Sequence, residues 1–334
     1  MSTDAPSRTP MPDEPFYHRA QSRRWGGLLL LLGLVWLVFE LTSRSAIFAF
    51  ALVEEQVTTP PQSFSVTRVV VRGLDDHVTL SHADGDQVTL TALRHGFGWN
   101  SNAARSALQR IDLQVEQQGT TLHVDVQHLG GIPILFGRTP YADVQLAIPT
   151  GTSLDVETVS GEVRGEGLRA TGSLGTVSGP LVLVDTAGDL GINTTSGDVQ
   201  IRDAGAGLRI KTVSGDVRIT GASGALWVES ISGNLDLDAE QAAVLVLDTT
   251  SGDIRASGVL SGEINSISGD VTLTLPAASD LNLYVTTTSG EIEYDLPLRD
   301  VQQDRRSLRG VLGNGQAQLK VTTTSGDVEL GADS

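Results

Sequence analysis

The chain has 334 residues, a formal net charge of -17, no cysteine and an aromatic content of 4%. So acidic a surface disfavours phosphate backbones and excludes nucleic acid as a partner, and the lack of thiols excludes disulfides, thiolate metal sites and cysteine nucleophiles. Few rings and 37 glycines suit a thin, layered β core better than a globular α/β enzyme.

Residues 1–24 are polar, rich in Pro and Ser, and end in Arg23-Arg24. They hold nothing that could build a core and read as a disordered cytoplasmic tail. The run from Trp25 to Phe39 is uncharged, Glu40 and Arg44 follow, and Ala46 to Val53 is apolar again. A membrane span needs about 20 residues, which predicts a transmembrane helix over 25–43. One continuous helix could extend it to 53, with Glu40 and Arg44 pairing at i, i+4. Arg23 and Arg24 keep the N-terminus cytoplasmic. Ala49-Phe-Ala51 has the form of a signal-peptidase site, but it lies far from the apolar core, and this favours an uncleaved single-pass anchor. A twin-arginine export signal matches poorly at its flanks. Each reading places the remainder outside the cytoplasm, at the cell membrane.

Residues 44–63 read as a linker, stiffened by Pro60-Pro61. From 64 to 150, apolar and polar residues alternate in short runs such as Val66–Arg72, His77–Leu80, Leu122–Val126 and Asp143–Ile148. These predict strands in irregular early coils that cap a more regular array. Asn100 to Gln109 reads as a loop or one short helix, and Gly96-Phe-Gly98 as a loop.

From 151 to 331 the sequence repeats. Ser-Gly pairs fall at glycines 161, 179, 197, 215, 233, 252, 269, 290 and 326; the first four intervals are 18 residues and the last is 36. The long interval holds an insertion over 296–315. The fold class is therefore all-β, a single-stranded β-solenoid or β-helix of 18-residue coils behind one transmembrane helix. In the copy at Ser214, Leu208, Ile210, Thr212, Val217 and Ile219 share one phase and point inward, while Arg209, Lys211 and Arg218 point outward. Each coil offers two short strands whose apolar side only a neighbouring coil can cover. Nine or ten coils stacked in file make a rod of about 45 Å.

The period sets up three columns. Gly161, Gly179, Gly197, Gly215, Gly233, Gly252, Gly269, Gly290 and Gly326 occupy turns whose conformation a side chain would resist. A small hydroxyl column, including Thr194, Thr212 and Thr249, faces inward at the corner, where it can bond to the next coil. An acidic column includes Asp198, Asp216, Asp253 and Asp270. Stacked carboxylates repel, and turn amides that donate to them would offset this. Ca²⁺ between coils is the sharper alternative, although the spacing of calcium-binding nonapeptide repeats is missing.

The repeated Thr-x-Ser-Gly-Asp-Val, the segment Tyr141-Ala-Asp-Val-Gln-Leu-Ala-Ile-Pro-Thr-Gly151 and the C-terminal Leu312–Leu330 resemble a large bacterial family, the putative adhesins of unknown function with the fold called a toastrack. The resemblance spans residues 64 to 330. It implies an envelope protein with a single-stranded β-helix and a link to membrane-stress systems, and it carries no catalytic motif.

The chemistry-bearing residues point to no active site. His18, His77, His82, His95, His123 and His128 read as scattered surface residues, and there is no nucleophile elbow, phosphate loop or dinucleotide fingerprint. No cofactor is implied. A polysaccharide-cleaving β-helix would use the acid–arginine pairs at Arg164, Arg218 and Arg255, but the coils lack the long loops that build a cleft. The expectation is a non-catalytic scaffold or interaction domain displayed by its anchor, with an envelope polymer or protein as partner; the alternative is an envelope-stress sensor that signals through the membrane helix. The regular acidic side surface or the irregular loops at 94–107 and 296–315 are the candidate contacts. Arg299, Arg305, Arg306 and Arg309 make the second loop a basic patch on an acidic rod.

Overall fold

A computed structural model describes residues 53–130, 138–239, 244–276 and 278–332. The cytoplasmic tail and the transmembrane segment expected at 25–43, with its extension through 52, lie outside them. Among the described residues, no helix is long and apolar enough to cross a membrane.

The first part of the chain forms β1 (Val53–Phe64), β2 (Arg68–Arg72), β3 (His77–Ala83), β4 (Val88–Gly98), helix α1 (Ser101–Leu108), β5 (Ile111–Gln118), β6 (Thr121–His128) and β7 (Tyr141–Pro149). The linker expected over 44–63 is corrected here: from Val53 onward it is a strand, paired antiparallel with β4 from Val53↔Gly98 to Phe64↔Val88. The register shifts between Thr59 and Gln62, where Pro60 and Pro61 stand. Proline has no N–H to donate, so an irregular edge strand is where a sheet tolerates it.

The regular body is a series of strand pairs. They are β8 (Ser153–Thr158) with β9 (Val163–Glu166), β10 (Thr171–Thr176) with β11 (Leu181–Thr186), and β12 (Leu190–Thr194) with β13 (Val199–Ala204). Next come β14 (Leu208–Thr212) with β15 (Val217–Ala222), and β16 (Leu226–Ser232) with β17 (Leu235–Asp238). The last are β18 (Leu245–Ser251) with β19 (Ile254–Ser257), and β20 (Gly262–Ser268) with β21 (Val271–Leu275). Even-numbered strands stack in parallel on one wall and odd-numbered strands on the other. The register is residue for residue, as in Leu190↔Leu208↔Leu226 and Val199↔Val217↔Leu235.

The inward phase read from the sequence holds. β14 alternates buried and exposed along its length, with Leu208, Ile210 and Thr212 inside and Arg209 and Lys211 outside. One continuous apolar cluster runs from Val66 to Leu330. Each buried Leu, Ile or Val in it is worth about 1.5–3 kcal/mol, a gain that exists only because the next coil covers it.

The ends depart from simple sequential stacking. The chain closes with β22 (Leu281–Ser289), β23 (Ile292–Asp295), β24 (Arg299–Asp304), β25 (Ser307–Leu312), β26 (Ala317–Ser325) and β27 (Val328–Ala332). The last pair, β26–β27, lies directly on β20–β21, and the earlier β22–β23 lies outside it. At the other end β2–β3 stacks on β8–β9, and the later β6 and β7 lie outside β2 and β3. Both terminal coils of the sequence are thus tucked one layer in. Eleven layers result among the described residues, against the nine or ten expected.

Antiparallel strands then finish the sheets: β4 and β1 beyond β7, β5 beyond β6, and β25 and β24 beyond β22. An open parallel edge invites another chain to pair; the added hairpins cover three of the four sheet ends, leaving the four-residue β23 at the fourth. The insertion expected as an irregular loop at 296–315 is this β24–β25 hairpin. The loop expected at 94–107 is the end of β4 followed by α1. Gly96-Phe-Gly98 is likewise strand, paired with Val53–Glu55 of β1, and α1 packs so closely on it that a Cβ at Gly96 would meet the Ala104 carbonyl.

Candidate functional site

The Ser-Gly corners lie in file along the body, paired as Ser232↔Ser251↔Ser268↔Ser325↔Ser289. Two reasons for glycine coexist there. At Gly233, Gly252, Gly269 and Gly326 φ lies between +120° and +142°, a region that L side chains resist. At Gly161, Gly179, Gly197, Gly215 and Gly290 the backbone is ordinary, so the conformational reason expected for these does not apply. The obstacle is instead the coil beneath: a Cβ on Gly215 would overlap the Gly197 carbonyl oxygen.

The hydroxyl column is buried, with Thr194, Thr212 and Thr249 at 7%, 5% and 6% exposure. At Thr158 the hydroxyl reaches the neighbouring layer as expected, donating to the Leu74 and Asp76 carbonyls, whereas at Thr194, Thr212 and Thr249 the bonds run within the coil. Thr194 Oγ1 accepts from Gly197 N–H at 2.8 Å and Thr212 Oγ1 from Gly215 N–H at 3.0 Å. Thr249 Oγ1 instead donates to the Ser251 carbonyl at 3.3 Å. At Thr194 and Thr212 the hydroxyl thus serves a corner amide that the turn leaves unpaired, while the Gly252 amide beyond Thr249 donates to the Ser268 carbonyl of the next coil.

The acidic column is a hydrogen-bonded ladder. Asp198 accepts from Asp216 N–H at 3.1 Å, Asp216 from Asn234 N–H at 2.7 Å, and Asn234 from Asp253 N–H at 3.2 Å. Asp253 accepts from Asp270 N–H at 3.2 Å, Asp270 from Asp327 N–H at 2.9 Å, and Asp327 from Glu291 N–H at 2.8 Å. Each acid therefore caps the amide of its neighbour one coil on, and this offsets the repulsion between stacked carboxylates. Among the described residues no cluster of His, Asp and Glu is arranged to hold a metal ion. Arg164 and Arg255 lie beside Glu162 and Asp253 of their own coils, whereas Arg218 reaches across to Asp236 of the next.

The basic patch divides in two. Arg299 donates to the Gly313 carbonyl, and Arg309 lies over the Tyr284 ring at 5.7 Å. Arg305 and Arg306 form the exposed turn between β24 and β25. Neither guanidinium has a hydrogen bond or ion pair among the described residues. The patch is therefore a two-arginine tip, at the end of the stack opposite β1 and β5.

The histidines are not simply scattered on the surface. His95 is 6% exposed and lies between two carboxylates, with Nδ1 2.7 Å from Glu54 and Nε2 2.8 Å from Asp143. Its ring stacks on Tyr141 at 4.5 Å, and His77 meets the same ring edge-on at 5.1 Å. Hydrogen bonds from Gln56 and then His95 hold the Glu54 carboxyl below its usual range. Burial, followed by the charge of Asp143, raises the Tyr141 phenol. Nearby, Asp76 is wholly buried and accepts from Ala142 N–H at 2.8 Å, Leu74 N–H at 3.2 Å and His128 Nε2 at 3.0 Å. The bond to Asp76 raises the His128 imidazole above its ordinary value. Period-2 phase puts His95 on the outer face, so alternation alone reads it as exposed. Its burial comes from β1 and β7 flanking β4, a pairing across 41 and 48 residues of sequence.

The family model for Toastrack DUF4097 matches residues 67–331. The chain belongs to the Toastrack DUF4097 family. The match covers nearly the whole described toastrack domain, from β2 through β27. No curated protein matches the sequence. Among solved structures, the toastrack chain is similar to a "putative lipid binding protein" from Parabacteroides distasonis, at 14% identity over 83% of this chain and 96% of that one, with a TM-score of 0.46. It is also similar to a "putative adhesin" from Bacteroides fragilis, at 12% identity over 84% and 97%, with a TM-score of 0.38. A "putative cell adhesion protein" from Clostridium sporogenes aligns at 10% identity over 84% and 100%, with a TM-score of 0.23.

Proposed function

We propose that this toastrack protein is a non-catalytic interaction module, displayed on the outer side of the cell membrane by a single-pass anchor at 25–43, and that the β24–β25 tip makes its contact with an envelope partner. The observation that carries the reading is the pair Arg305 and Arg306, two exposed guanidinium groups at the end of a rigid stack whose other arginines on this hairpin are engaged. On a chain of net charge -17, such a tip selects an anionic partner, while the acidic flanks repel misplaced ones. An anionic wall polymer or an acidic protein surface fits that chemistry. The layered body supports the same role, since a fully paired stack holds a distant tip in place without a flexible stalk.

The test is capture of envelope fractions by the full chain reconstituted in nanodiscs, with and without Ca²⁺, beside a variant carrying Arg305→Glu and Arg306→Glu. Capture by the native chain that the double variant loses is the expected outcome, with no dependence on Ca²⁺. Undiminished capture by the variant would remove the tip from the proposal, and no specific capture by the native chain would remove the interaction role.

A further inference from the structure

The largest exposed apolar side chain among the described residues is Trp99, at 79% exposure. It is held rigidly. The preceding Gly98 lies against Ala103 and Ala104 of α1, and the following Asn100 caps that helix by accepting from Ala103 N–H at 2.8 Å. A rigid platform that keeps an indole in solvent gains nothing from the core.

Its position in the topology is what gives it meaning. β1 pairs Val53 with Gly98, so Trp99 lies one residue past the partner of the residue at which the described domain begins. Val53 is also the last member of the apolar run Ala46–Val53. The chain that leads to the proposed membrane segment therefore leaves the domain at the end of β1 whose partner strand runs into Trp99. Even with the span ending at Ser43, residues 44–52 reach at most about 30 Å when fully extended.

The charge of the platform agrees. Residues 94–110 include Arg94, Arg105 and Arg110 and contain no Asp or Glu, although Arg94 donates to the Ile111 carbonyl and β1 brings Glu54 and Glu55 opposite Phe97 and Gly96. Arg105 is partly neutralised by Glu55 at 3.5 Å, while Arg110 stands exposed beside the helix C-terminus. An indole with a polar edge, flanked by arginines, is the composition of a membrane–water interface.

We infer that the end of the domain formed by Trp99 and the exposed face of α1 rests in the lipid headgroup layer, with Trp99 as an interfacial anchor. The contact fixes the orientation of the domain: the β1 end docks on the bilayer, and the two-arginine tip at the other end of the stack is the part offered to a partner. This rests on the single-pass anchor proposed above.

The two can be tested separately in the full chain, reconstituted in vesicles of phosphatidylcholine and phosphatidylglycerol with or without bromine on the acyl chains near the headgroups. One variant keeps Trp99 as its sole indole (Trp25→Phe, Trp36→Phe, Trp227→Phe); a second keeps only Trp36 (Trp25→Phe, Trp99→Phe, Trp227→Phe). Bromine near the headgroups should quench Trp99; moved to the chain ends, it should quench Trp36, near the middle of the proposed 25–43 span, and leave Trp99 bright. Quenched Trp36 with unquenched Trp99 would overturn the docking and leave the anchor standing, and would point instead to a protein partner for the indole. Unquenched Trp36 would overturn the anchor and the docking together. Trp99 is solvent-exposed, so a Trp99→Ser chain should fold as the native one does by circular dichroism while losing the contact.

Discussion

Replacing Asp76 by alanine removes one acceptor that three donors share: Leu74 N–H, Ala142 N–H and His128 Nε2. The carboxylate is fully buried, and its donors belong to the β2–β3 turn, β6 and β7, so it ties the first two layers of the stack together. Each orphaned buried donor costs about 1–3 kcal/mol, but His128 retains 18% exposure and water can reach it. Breaking a buried ion pair costs about 3–5 kcal/mol, and we take that range for the whole change. In a layered fold such a loss stays near its source, because each coil contacts only its neighbours. Amide hydrogen exchange is therefore the sensitive assay. At Ala142 in Asp76→Ala, it should speed up by about a hundred- to several-thousand-fold, while Leu226 in the mid-body stays at its native rate. Acceleration of less than about tenfold, equivalent to 1.4 kcal/mol, would refute the claim that this carboxylate holds the cap.

The same pair gives a pH dependence. Because Asp76 raises His128 above the ordinary imidazole value of 6.5, the stabilisation is whole below that value and is lost as pH rises through the folded one; Ala142 exchange beyond its intrinsic base dependence should rise accordingly, and His128→Gln should flatten the trend. In the acid ladder, Asp216→Asn keeps an acceptor, as Asn234 does natively, and should leave the denaturation midpoint nearly unchanged. Asp216→Ala leaves the Asn234 amide unpaired and should cost about 1 kcal/mol in the same denaturant titration. Gly215→Ala drives a methyl into the Gly197 carbonyl and should cost about 1–3 kcal/mol, read as a lowered midpoint. By contrast, Ala at Gly331, where nothing lies within 4 Å, should be silent.

The corners, the inward strands and the acid column were legible from the sequence because they are local and repeated. A period of two decides which side chain faces in, and a period of 18 decides which residues stack, wherever in space the coils lie. Leu208, Ile210, Val217 and Ile219 needed no partner to be assigned inside. The ladder of carboxylates and amides was likewise foreshadowed by their spacing.

Tertiary structure alone decided the ends. That β26–β27 slips beneath β22–β23, that β1 is a strand and no linker, and that His95 and Asp76 are buried all depend on pairings between segments tens of residues apart. The repeat specifies what a coil looks like, and any two coils of this pattern stack equally well. Which coil lies outermost is set by where unpaired edges and buried charges find partners, and that balance is struck only once the whole chain has folded.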